Sequence, residues 1–425
     1  MKIDRTTPPA LILPTNLSLP QQKLHTTATG ILLHTIEVLE QPVVRLSLVF
    51  KVGSMHQNHP FEASTMLNML SEGSLSMSSA DMAKELDFYG VEYECSIDRD
   101  FSMITVSCLS KFLPETLGLL EEIVLRPAFL VSELDIYKTK RKQQLRMERQ
   151  RPSYMARELF TVAIFGADHP YGVVSQEECY DTLTSDNLRE FYQRYFGAEN
   201  CFAVASGFLQ QTEIALICGF LEKIPHVVPF TCSYLEQPVS VSRSVLSRPN
   251  DVQSSLRIGK LLFPKGHPDY NGMQLLVMVL GGYFGSRLVQ NLREEHGYTY
   301  GIYSTIATLR YEGYLAIATD VSSEFTAAAV KQIFIEIERL RTQKIDSDEL
   351  IIVKNMIVGE LMRVLDGPFG IADVIVENIE SDLPADYFNQ FLQDVKQCTP
   401  EYLQSLAIKY LNPDSFTTVI VGRTE

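Results

Sequence analysis

Two copies of one α+β layer domain, joined in tandem, are what this sequence predicts, and three matches between its halves carry the prediction. TSDNLREFYQRYFGAENCFAVASG, from Thr184, and TPEYLQSLAIKYLNPDSFTTVIVG, from Thr399, align without a gap at an offset of 215 (184 against 399). Leu188 meets Leu403, Tyr195 meets Tyr410, Val204 meets Val419 and Gly207 meets Gly422. SELDIYKTKRKQQLRM from Ser132 sits against SDELIIVKNMIVGELMR from Ser347, with Glu133 and Leu134 opposite Glu349 and Leu350. KELDFYGVEYECS from Lys84 parallels NLREEHGYTYGIY from Asn291, with Gly90 opposite Gly297. Matched elements repeated in the same order mark a duplication.

Each copy reads in order as a strand, a helix, a short helix, two antiparallel strands, two or more long helices, and a closing helix and strand. The closing helix of each copy is amphipathic and opens on a Thr that can cap it. A short turn then leads into a β-branched strand ending in Gly. Helices gathered on one face of a mainly antiparallel sheet give the α+β layer architecture. The predicted organisation is an N-terminal extension at 1–20, one domain at 21–210, a linker at 211–250 and a second domain at 251–425. A short helix followed by IPHVVPFTCSYLEQPVSVSRSVLSRPND makes up the linker, where prolines and serines break any period.

With 425 residues, of which 45% are hydrophobic and 21% charged, the chain can build two or three cores. Its formal charge of −15 argues against nucleic-acid binding, which requires a basic surface to displace phosphate counterions. Lys138, Lys140, Arg141, Lys142, Arg146, Arg149 and Arg151 form a basic run on a predicted helix, read as a solvated face or a wall that meets an acidic partner. Seven cysteines without a close pair indicate neither a disulfide frame nor a cysteine zinc site, so a reducing, cytoplasmic location is expected. Pro14 interrupts the short apolar run near the N-terminus, and no later run approaches the roughly 20 residues of a membrane helix.

The stretch GGYFGSRLVQNLREEHGYTYGIY, residues 281–303, concentrates the candidate chemistry. Ser286 is expected to accept from the first free N–H groups of a helix running from about Arg287 to His296. Gly297 is placed to close that helix in a left-handed cap, and a strand follows from Tyr298 to Ala307. Arg293 and Tyr300 could then enter one space, a guanidinium fork and a phenol suited to holding a peptide carbonyl or a developing oxyanion. The alternative is an Arg that caps the helix and a Tyr in a core. Gly282, Gly285 and Ser286 are the candidate substrate-binding residues in the turn before the helix.

These residues resemble the insulinase-like or pitrilysin-type (M16) zinc peptidases, the mitochondrial-processing-peptidase branch in particular. The resemblance spans VVRLSLVFKVGS, GVEYECSIDRDFSMITVSCLS, FGADHPYG and SRLVQNLREEHGYTYGIYS, nearly the whole chain. It implies a clamshell of similar domains and gives Arg293 and Tyr300 the role of holding substrate near the scissile bond. It also implies an H-x-x-E-H zinc motif on the first helix after the opening strand. Here those positions fall on Ser64, Leu67 and Asn68 within FEASTMLNMLSEGS, and a third ligand position falls on Gln144. Three neutral oxygens and a Leu supply neither the anionic or imidazole ligands of a catalytic zinc nor a base for its water. His56, His59 and Glu62 make an H-x-x-H-x-x-E run, but Pro60 lies inside it and a loop is expected there.

Three functions follow from the resemblance. In the first, the chain is the non-catalytic subunit of a two-component peptidase. It binds no cofactor itself and adds Arg293 and Tyr300 to a heterodimer whose H-x-x-E-H-bearing partner holds zinc. A homodimer is expected where no such partner exists. The second is a structural or peptide-binding homologue with no part in proteolysis. The third is an active hydrolase with unconventional ligands.

Overall fold

The computed structural model describes Thr6, residues 21–229 and residues 240–423. The rest of the N-terminal extension, and the part of the linker that holds Cys232, lie outside the described residues.

Two sheets repeat one topology. The first contains β1 (Gln22–Thr26), β2 (Leu32–Glu37), β3 (Val43–Phe50), β4 (Glu92–Ile97), β5 (Ser102–Leu109) and β6 (Cys201–Gly207), in the order β1-β2-β6-β3-β5-β4. The second contains β7 (Arg243–Ser247), β8 (Gln253–Leu262), β9 (Thr299–Thr308), β10 (Gly313–Ser322) and β11 (Thr417–Gly422), in the order β7-β11-β8-β10-β9. Only β2 with β6 and β7 with β11 run parallel among the described strands. The duplication extends to the register. Val204 pairs with Ser47 on β3, which pairs with Thr105 on β5; Val419 pairs with Arg257 on β8, which pairs with Ala318 on β10.

Local chemistry repeats as well. Thr184 accepts from the Asn187 N–H to start the Ser185–Tyr195 helix, and Thr399 accepts from the Tyr402 N–H to start Pro400–Tyr410. Gly90 and Gly297 take φ of 62° and 65°, left-handed values that a side chain rarely adopts. Each half has its own core, with Leu48, Met66, Leu67 and Leu188 in the first and Ile258, Met273, Leu276 and Leu403 in the second. The helix Gln211–Leu221 adds Ile214, Ile217 and Phe220 to the first core, and β7 lies in the same connecting region at the edge of the second sheet.

The own helices of each half cover one face of its sheet. The other face is covered by a helix from the opposite half. Phe160, Ala163 and Ile164 of Pro152–Phe165 share a core with Val419 and Val421 on β11. Ile371, Ala372 and Val376 of Pro368–Glu380 share one with Ile36 on β2 and Phe202 and Val204 on β6. Pro152 and Pro368 are themselves an offset of 216 apart (152 against 368), so the exchange is reciprocal. It is required because β6 is buried at every residue, and a strand apolar on both faces needs cover on both. No helix among the described residues is long and apolar enough to cross a membrane.

Acidic groups line the junction between the halves. Asp100 accepts from the Tyr171 hydroxyl at 2.5 Å and from the Arg310 N–H at 3.0 Å. Burial, with Asp98, Glu377 and Asp100 nearby, pushes the Glu380 carboxyl up to about 8, and Arg310 offsets part of this. A carboxyl whose folded pKa exceeds its unfolded value holds its proton longer in the folded state. Its contribution is therefore complete below about 4.5 and falls away as pH rises toward 8. Glu380→Gln is expected to raise stability at pH 8 by on the order of 2 kcal/mol and to change it little at pH 4.5, as read by urea unfolding at the two pH values. Equal effects at both would remove this assignment.

Candidate functional site

The helix that carries Arg293 covers residues 287–295, and its Val289–Glu295 portion is a π-helix. Ser286 does not cap it. The Ser286 side chain is fully buried and its Oγ has no hydrogen-bond partner, while its backbone carbonyl accepts from the Gln290 N–H. A fully buried hydroxyl cannot touch substrate, so Ser286 leaves the set of substrate-binding candidates. Gly282, at the end of the Met278–Gly282 π-helix, and Gly285, in the turn that follows, are exposed, and Gly282 lines a cavity of about 350 Å³ with Met278, Ser304 and Leu361.

Arg293 and Tyr300 do share one space. The guanidinium carbon of Arg293 lies 5.1 Å from the centre of the Tyr300 ring and 4.8 Å from that of Phe284, so the cation is held between two aromatic rings. Its Nε sits 3.3 Å from Glu294 Oε1. Tyr300 is 90% exposed, which rules out the core alternative. Nor does the Arg293 guanidinium bond the carbonyls that end its helix, among the described residues.

A bulge aims the tyrosine. Thr319 pairs with Ile302 and Val321 with Thr299, so Tyr300 and Gly301 together oppose Asp320. Thr299 Oγ1 pins this bulge by donating to the Asp320 carbonyl at 2.7 Å and accepting from the Gly301 N–H at 3.0 Å. Neither the bulge nor the stacking by Phe284 was predicted from sequence. Thr299 and Gly301 flanking Tyr300 are the only local signal for the bulge.

The three positions where the resemblance places zinc ligands, Ser64, Asn68 and Gln144, and the position of its base, Leu67, do not fit a metal site. Ser64 Oγ donates to the Phe61 carbonyl at 3.2 Å, and the Asn68 amide donates to the Ser64 carbonyl at 2.7 Å. Leu67 is fully buried in the first core. Gln144 is exposed and engaged along its own helix, accepting from Arg141 at 2.8 Å and donating to Glu148 at 2.9 Å. The residue of that helix that shares a cavity with Ser64 is Leu145. Both line a cavity of about 380 Å³ together with Arg99, Tyr154, Arg157, Glu158 and Tyr314.

The H-x-x-H-x-x-E run is used locally. Glu62 Oε2 accepts from the N–H groups of Asn58 and His59, capping the turn before its own helix. His56 Nδ1 accepts from the Gly53 N–H at 2.9 Å, and burial holds its pKa down at about 4, so the ring is neutral at pH 7. Three of the seven residues of the basic run form ion pairs, Lys142 on Asp181, Arg146 on Glu177 and Arg149 on Glu158.

A family model described as Insulinase (Peptidase family M16) matches residues 35–169, and one described as Peptidase M16 inactive domain matches residues 182–357. The uncharacterized zinc protease YmxG of Bacillus subtilis is 22% identical over 337 residues, covering 77% of this chain and 82% of the relative. The non-peptidase homolog YmxG of Helicobacter pylori is 23% identical over 314 residues, covering 71% and 72%. Two crystal structures superpose with a TM-score of 0.88. They are a peptidase M16 inactive domain from Pseudomonas fluorescens, 24% identical with 95% and 98% of the two chains covered, and a protease from Helicobacter pylori, 16% identical with 95% and 100% covered.

Proposed function

The chain belongs to the M16 peptidase (insulinase) family, and on that premise we propose that it is a zinc-less subunit of a two-component peptidase. One observation carries the reading: the Arg293–Tyr300 pair is assembled and open to solvent, while Ser64, Leu67, Asn68 and Gln144 are spent on local bonds or on the core. In this reading a partner of the same family bears H-x-x-E-H and the metal. Arg293 donates to the substrate carbonyl in the bound state, and the Tyr300 hydroxyl donates to the oxygen as negative charge grows on it. The proposed location is the cytoplasm, on the strength of the unpaired cysteine pattern.

A relative called a non-peptidase homolog agrees with a chain that cleaves nothing alone. A purely structural or peptide-binding role accounts equally for the degenerate helix but leaves the solvent-facing Arg–Tyr pair without a use.

Reconstitution tests the reading. The purified chain, after dialysis against a chelator, is expected to retain well under one zinc per chain and to cleave no peptide. Mixing it with an H-x-x-E-H-bearing homologue from the same source is expected to give a stable heterodimer with peptidase activity that neither component shows alone. Full activity of the homologue by itself, unchanged by this chain, would remove the two-component reading.

A further inference from the structure

The cavity beside Ser64 has a chemistry of its own, independent of the Arg–Tyr pair. Its walls come from both halves of the chain, with Ser54, Phe61, Ser64, Leu145, Arg157 and Glu158 from the first and Tyr314 on β10 from the second. At about 380 Å³ it falls within the roughly 300–1,000 Å³ of small-ligand sites.

Two arginines, Arg99 and Arg157, line this cavity. Arg99 projects from the Asp98–Asp100 turn between β4 and β5. Asp98 Oδ1 holds that turn by accepting from the N–H groups of Asp100 and Phe101, both at 2.7 Å. The Ser54 and Met55 N–H groups donate to the Asp98 and Arg99 carbonyls at 2.9 Å. The turn can come this close only because residue 53 is Gly, since a Cβ there would lie 2.4 Å from the Arg99 carbonyl carbon. Arg99 is thus presented from a fixed backbone. Arg157 projects from the Pro152–Phe165 helix and lies 4.8 Å over the Tyr154 ring.

Neither guanidinium has an ion pair or hydrogen bond to a carboxylate among the described residues. The nearby acids are engaged elsewhere. Glu158 is held in a two-point pair by Arg149 at 3.0 and 3.1 Å. Asp100 accepts from Tyr171 and from the Arg310 N–H, and Asp98 closes its own turn. Two cations on a shared cavity wall, with Glu158 already neutralised, favour an anion that both can reach. A guanidinium offers paired N–H donors that match the two oxygens of a carboxylate.

We propose that this cavity binds a peptide through a carboxylate, with Arg99 and Arg157 as its cationic donors and the Tyr314 hydroxyl as a further donor. The proposal does not rest on the two-component reading, because the chain alone contains the whole site. Its position beside the degenerate helix gives the first half a ligand-holding role without a metal.

Fluorescence anisotropy of the isolated full chain with three dansyl-labelled alanine tetrapeptides tests it: a free acid, its C-terminal amide, and the amide with an internal Glu. The free acid, the Glu-bearing amide or both are expected to bind, the first identifying a terminal carboxylate and the second an acidic side chain. The plain amide is expected to bind at least about tenfold more weakly. Arg157→Gln, on an exposed helix position, should weaken carboxylate binding about tenfold or more, and Arg99→Gln should do the same. Lys331→Gln, an equal change of charge on the Thr326–Thr342 helix, should leave it unaltered. Equal binding of acid, Glu-bearing peptide and plain amide would overturn the proposal. So would wild-type binding by the Arg157→Gln chain, whose fold that exposed change leaves intact, or absence of binding by all three peptides.

Discussion

Tyr300→Phe in an active mixed complex is expected to lower peptide turnover by about 10²–10³-fold while fold and assembly are retained. The phenol is 90% exposed, so removing its hydroxyl disturbs no packing. On the proposed role, what would disappear is one hydrogen bond to an oxygen whose charge grows in the transition state, worth roughly 2.7–4 kcal/mol in comparable sites. The loss should therefore appear mainly in kcat. Arg293→Ala is expected to raise KM as well, because a guanidinium holds the neutral carbonyl of the bound substrate too. It also removes the cation between Phe284 and Tyr300, freeing the tyrosine ring from a fixed position. Steady-state kinetics of the two variants checks both statements. Unchanged kcat and KM in both, with wild-type zinc content in the partner, would leave the structural role as the better account.

Phe160→Ala is expected to destabilise the half of the chain in which it does not lie. Phe160 is 4% exposed, meets the Tyr314 ring edge-on at 6.0 Å and shares a core with Val419 and Val421 on β11. Truncating a buried Phe costs about 3–5 kcal/mol through lost transfer energy and the cavity left behind. Hydrogen exchange should show the loss of protection in β8, β10 and β11, and thermal unfolding should remain a single transition because each half lends a helix to the other. Lost protection confined to residues 21–207, with the second sheet unaffected, would show that the exchanged helix contributes little there.

The duplication was legible because its signals are local. A Thr before an amphipathic helix, a Gly at a left-handed cap and a β-branched run before a closing Gly each act within a few residues, and each recurs in the second half, the Thr and the closing Gly 215 positions on (184 against 399, 207 against 422) and the cap Gly 207 positions on (90 against 297). The Arg293–Tyr300 pairing was legible for the same reason, since a helix, a Gly cap and a strand carry one residue back toward the other. Ser286 was misread because its hydroxyl is a good cap by composition, while packing buried it completely. The apolar run of β6 did contain a sign of cover on both faces, but nothing in it tells which helix supplies the second cover.

The sequence by itself therefore determined the repeated domain, the elements within each copy, the guanidinium and phenol that converge in the second, and which residues, Ser64, Leu67 and Asn68, stand at the motif positions of the first helix. Three things were decided only by the tertiary structure. The Pro152–Phe165 and Pro368–Glu380 helices cross to the opposite half, Leu145 rather than Gln144 shares a cavity with Ser64, and Arg99, Arg157 and Tyr314 meet around that same cavity. All three depend on contacts between residues far apart in the chain, where burial of apolar area selects the partner. Spacing along a sequence records the period of a helix or strand but not the surface it will meet.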